Sequence, residues 1–191
     1  MDEIQYYDNY EKNLTEALLR VCTSLGMLNG TLLETEDIDG KWKEYAPEYI
    51  AEALKEFNSY PEVAIAWAGY IGMAVAEFWD TDWAGHHNDK YVSLHGTQGF
   101  DNMDDHIMVD ILKHQLDSAE AKQLTLMMQT CAQQCINYMR HEEIEHQTTK
   151  AFHIFARTVR SMFKIGASIQ LKQKGYRFEK LDLSDMKPRL S

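Results

Sequence analysis

The chain has 191 residues, a formal net charge of −11 and a hydrophobic content of 45%, enough for one substantial core with nothing demanding a second. Three prolines and ten glycines are few, and β-branched alternating runs are scarce, so the composition predicts an all-α domain. The acidic start MDEIQYYDNY resembles neither a secretory signal nor a transit peptide, and three cysteines make no disulfide framework, so a reducing cytoplasm is the expected compartment.

A first helix is expected from about Ile4 to Leu33, on the spacing of Leu14, Leu18, Val21, Cys22, Leu25, Leu28 and Leu32. Gly26 and Gly30 lie four apart on it and predict a close helix contact. Thr35 to Gly40 reads as an acidic connection. A shorter helix follows through Pro47 to about Phe57, with Tyr49, Ile50, Ala53, Leu54 and Phe57 inward.

Residues 61–79, PEVAIAWAGYIGMAVAEFW, are the most informative stretch. The 14 residues from Val63 to Ala76 carry no charge, short of the roughly 20 needed to cross a bilayer, so no membrane span is expected. Small residues recur at Ala64, Ala68, Gly72 and Ala76, one ridge of a helix that is apolar on every side. This predicts a buried central helix, closely approached by a neighbour, with Gly26 and Gly30 as its natural partners. The fold class expected is a single-domain helical bundle of about five to six helices around it, spanning 1–175, with 176–191 as a C-terminal tail or docking arm carrying Phe178, Leu181, Leu183 and Met186.

The stretch Asp80–Phe100 lacks periodicity and is the expected functional loop. Asp101 reads as the N-cap of a helix reaching Leu116, and Asp117 with Glu120 as a capping box for the next. That next helix carries Leu124, Met127, Cys131, Cys135 and Tyr138, then either continues to Gly166 or breaks near Gln147-Thr148-Thr149. A break is preferred, since one helix of that length would overrun a compact domain. Gly175 is the expected C-cap of the last helix.

Charge is uneven. Residues 1–117 carry a balance of −16 and residues 118–191 a balance of +5. Lys150, Arg157, Arg160 and Lys164 share a helix face opposite Phe152, Phe155, Val159 and Phe163. A solvated face attracted to the acidic half of the chain explains this, and the acidic total argues against a nucleic-acid partner.

Several groups carry ligand chemistry. Glu143-Ile144-Glu145-His146 is one E-x-x-H, a four-residue fragment that resembles half of the di-iron signature of ferritin-like bundles; the chain has no second. If the helix continues, His141 and Glu145 fall on its inner stripe with Glu142 and Thr149 flanking, and Glu77 of the central helix could face them as a metal or acid/base site. His106, Asp110 and His114 follow at helical spacing on one ridge. In the loop, Asp80, Asp82, His86, His87, Asp89 and His95 are dense in ligand types. His86 and His87 could join His106 around zinc or iron, although the spacing fits no EF-hand and no HExxH. Trp67, Tyr70, Trp79 and Trp83 suit core packing, or an apolar ligand pocket.

With no complete catalytic motif, the expected role is binding or assembly, as a homo-oligomer. The alternative is a metal-binding bundle or metal-dependent enzyme using Glu77, His86, His87, His106, His141 and Glu145 with a divalent metal, zinc or iron.

Overall fold

A computed structural model describes residues 2–177, and among them every regular element is helical. Five long helices carry the fold: α1 (Glu3–Ser24), α2 (Glu36–Phe57), α3 (Pro61–His86), α5 (Ala119–Arg140) and α6 (Thr149–Gln173). Between α3 and α5 lie two short 3-10 turns, a single α-turn α4 (Met103–His106) and a π-turn over Ile107–Ile111. The expected arm falls outside the described residues except for Tyr176 and Arg177.

α3 is the central helix. Pro61 opens it at the position where its missing N–H costs nothing, and Ala64 to Glu77 is buried apart from Trp67. α6 is its principal neighbour, α2 and α5 cover its other sides, and α1 packs on α6 and α5. The close approach expected from the small-residue ridge occurs, but against α6. A Cβ built on Gly166 would lie 2.7 and 2.8 Å from the backbone C and Cα of Gly69. One on Gly72 would lie 2.8 Å from the Ala167 nitrogen. Backbone meets backbone at this crossing, which only glycine permits.

Gly26 and Gly30 are not partners of that ridge. α1 stops at Ser24, and both glycines lie beyond it at φ 78° and 84°, where they turn the chain. The first helix therefore ends well before Leu33. α2 in turn begins earlier than expected. Thr35 caps it by accepting from the Ile38 N–H, so Glu36, Asp37 and Asp39 form a first turn matched to the helix dipole rather than a connection.

Two other caps differ. Ser118, not Asp117, caps α5 by accepting from the Ala121 N–H. Asp101 sits within a 3-10 turn instead of opening a helix. The expected break after α5 is real: α5 ends at Arg140, Gln147 has φ 62°, and Thr148 caps α6 by accepting from the Ala151 N–H. A β-branched hydroxyl that satisfies a free N–H favours a new start over continuation.

Cys22 and Cys131 meet between α1 and α5 with their sulfurs 3.5 Å apart, and all three thiols are buried. Burial pushes Cys135 well up from its ordinary range, so these cysteines behave as small core hydrophobes.

Candidate functional site

The six expected ligands are dispersed. Glu77 is buried on α3, where Oε2 accepts from Gln170 Nε2 at 2.8 Å and Oε1 pairs with Lys174 Nζ at 2.9 Å. These contacts tie α3 to the end of α6, and Tyr176 donates to Asp80 at 2.8 Å beside them. Glu77 thus satisfies a polar contact between helices, not a layer with His141.

His141 caps α5, and Glu145 lies exposed in the loop that follows, so the helical stripe that would have joined them does not exist. His86 stacks on Phe78 at 3.9 Å between ring centres and pairs with Asp89 at 2.7 Å. The exposed His87 ring turns back on the Trp83 and Ala84 carbonyls, 3.0 Å from each.

His106 makes the expected contact with Asp110, at 2.8 Å, beneath Gly96. His114 leaves that ridge, because the helix widens to a π-turn and Lys113 takes φ 63°. His95, held by Glu52 at 3.0 Å, and His106 line one small polar recess of about 210 Å³. Among the described residues no three His, Cys, Asp or Glu side chains gather as a metal-holding group.

The larger concavities are apolar. One recess of about 850 Å³ lies between α2 and α6 over Trp42 and Phe163, whose rings stack 4.9 Å apart. A second, about 800 Å³, lies where α2, α5 and the start of α6 meet, over Phe57 and Phe155 at 5.2 Å. The two share Leu54 and Phe152 in their walls, and these side chains stand 38% and 46% exposed between them. Both were expected to point inward. Ala46, Ile50 and Leu54 follow at four-residue steps on α2, and Phe152 and Ala156 do so on α6. Each helix therefore carries an apolar stripe wider than one buried face requires, and that width is the sequence signal for this trough.

Three of the cations along the trough, all on α6, are matched within the chain. Arg157 pairs with Asp8 at 2.6 Å and Glu11 at 2.8 Å, and Arg160 also grips Glu11. Lys164 pairs with Glu34 at 3.1 Å. The basic face of α6 is thus matched to the acidic first third of the chain, as its sequence pattern implied. Burial and the nearby Glu34 carboxylate push the Asp39 carboxyl up, against the opposing pull of Lys164, Lys43 and Arg160. At the far end the Tyr6 hydroxyl donates to Glu142, anchoring the 141–148 loop that forms one wall.

No helix among the described residues is long and apolar enough to cross a membrane. No family model, curated protein or solved structure matches the chain.

Proposed function

We propose that this protein is a binding and assembly module, and that its α2–α6 trough is occupied by a second copy of the same chain. The observation that carries this reading is the shape of the trough. Two hollows adjoin at a shared, partly exposed apolar pair, Leu54 and Phe152. About a two-fold axis such a surface would meet itself, with the shared pair of one copy set against a hollow of the other. Charge supports the same occupant. Arg157, Arg160 and Lys164 are matched by Asp8, Glu11 and Glu34, and the other charged groups in the walls, Lys43 and Arg140 with Asp39 and Glu142, are of both signs, so the trough does not present a single sign of charge to a like copy. Large, well-packed side chains near the centre of an interface are where its energy concentrates, and Phe152 would sit there.

Sedimentation equilibrium tests it. The wild-type chain is expected to be dimeric at about 0.1 mM, with Phe152→Glu and Leu54→Glu monomeric at the same concentration. Leu126→Glu, on an apolar side chain more open to solvent than either but outside the trough, should remain dimeric. A monomeric wild-type protein, or variants that dimerise as it does, would overturn the reading.

A further inference from the structure

A third concavity is unlike the other two. It is a cleft of about 520 Å³ between the first half of α3 and α5, closed at one end by α4. Its walls are Trp67, Tyr70, Val63 and Ile136, with Gln129 and Gln133 along one side, Glu62 and Arg140 toward the Pro61 end and the Asp104 carboxylate at the α4 end. The antiparallel run of α3 and α5 sets the direction: Tyr70 meets Thr125 near Asp104, and Pro61 and Ile136 lie toward the other end.

Among the described residues no cation pairs with Asp104. The two buried glutamates are each matched, Glu11 by Arg157 and Arg160 and Glu77 by Lys174. The Asp104 carboxylate accepts from backbone N–H groups of its own turn, and Asp105 stands beside it as a second negative charge. Burial and that neighbour push its carboxyl up to about 6. A half-buried, uncompensated acid against aromatic rings in a cleft of ligand size is an arrangement that structural ion pairing does not explain.

We infer that this cleft binds an organic ammonium ion, its cationic head between Asp104 and the Trp67 and Tyr70 rings and its apolar tail along Val63 and Ile136. The carboxylate supplies the counter-charge, and the indole and phenol rings attract the same cation through their electron-rich faces. The apolar strip of Val63 and Ile136 favours an alkyl or aryl tail over a metal ion or a small hydrated cation, and Arg140 at that end disfavours a second cationic group on the ligand. This inference requires no second copy, although the tail end of the cleft shares Pro61, Ile136 and Arg140 with the second hollow of the trough.

The test uses phenethylammonium as the probe, its neutral isostere phenethyl alcohol as the control, and the full chain followed by Trp indole N–H resonances. Saturable binding at about 1 mM or tighter is expected for the ammonium, with the Trp67 resonance shifting, and at least about tenfold weaker binding for the alcohol. Asp104→Asn, nearly isosteric, should lose at least about tenfold in affinity for the ammonium while keeping the wild-type helical spectrum. The inference is overturned if the alcohol binds as well as the ammonium, if Asp104→Asn binds undiminished, or if neither probe saturates by about 10 mM.

Discussion

Gly166→Ala is the sharpest test of how the central helix is held. In an exposed helix this change would stabilise by about 1 kcal/mol, because alanine loses less backbone freedom. Here the new methyl points into α3, with Gly69 backbone C and Cα at 2.7 and 2.8 Å. Contact between carbons is comfortable from about 3.5 Å, so α3 and α6 must part by about 1 Å along their crossing. A gap of that size forfeits a quarter to a half of each dispersion contact, and overpacking costs about 1–3 kcal/mol in general. The obstacle is backbone, which cannot rotate away, so the upper part of that range applies. Net of the propensity gain, a loss of about 2 kcal/mol is expected, lowering Tm by roughly 4–8 °C for a chain of this size. Gly69→Ala should cost less, since its methyl meets the Met128 thioether and, at 3.1 Å, the Met162 methyl, both ends of flexible side chains. Gly40→Ala should stabilise by about 0.5–1 kcal/mol, since nothing lies within 4 Å of it. Urea unfolding followed by circular dichroism gives all three values. Gly166→Ala as stable as wild type, or Gly40→Ala as damaging as Gly166→Ala, would refute the backbone-contact argument.

Two further outcomes concern charge. Glu11→Gln removes the carboxylate that Arg157 and Arg160 share on α1; because Arg160 is partly solvated and Arg157 keeps Asp8, the loss should be about 1–2 kcal/mol in urea at low salt and smaller at high salt. An unchanged urea midpoint at low salt would show that the arginines gain nothing from it. Asp104 has a folded-state pKa raised above its unfolded value, so the folded chain holds its proton more tightly and the ionised form is penalised. Its contribution therefore falls as pH rises from about 4 to about 6 and stays unfavourable above that. Asp104→Asn should flatten stability over this window and, after allowance for solvent screening, gain about 1 kcal/mol at neutral pH. A pH–stability curve superimposable on that of wild type would contradict the assignment.

Much of the architecture was legible because it depends on local chemistry. An uncharged helix leaves no face for water, so burial of nearly all of residues 64–76 follows from the residue types alone. The i, i+4 pairing of His106 with Asp110 survived because those two positions keep helical reach of one another. Gly26 and Gly30 misled because the same four-residue spacing serves a helix crossing and a pair of positive-φ turns. His141 and Glu145 depended on whether one helix continued, a matter settled by the Thr148 cap. Leu54 and Phe152 were read as inward because periodicity reports that a stripe is apolar, not how much of it a neighbour covers.

Residue chemistry by itself determined the helical class, the buried central helix and the attraction between an acidic first third and a basic last helix. Each of these follows from what a side chain does to solvation, whichever neighbours it later finds. Tertiary structure alone decided that α6, through Gly166, is the helix that meets α3. It likewise decided that two apolar stripes stay partly open and that, among the described residues, no cation pairs with Asp104. These are relations between segments far apart in the chain, set by which surfaces remain uncovered once the best-packed contacts have formed.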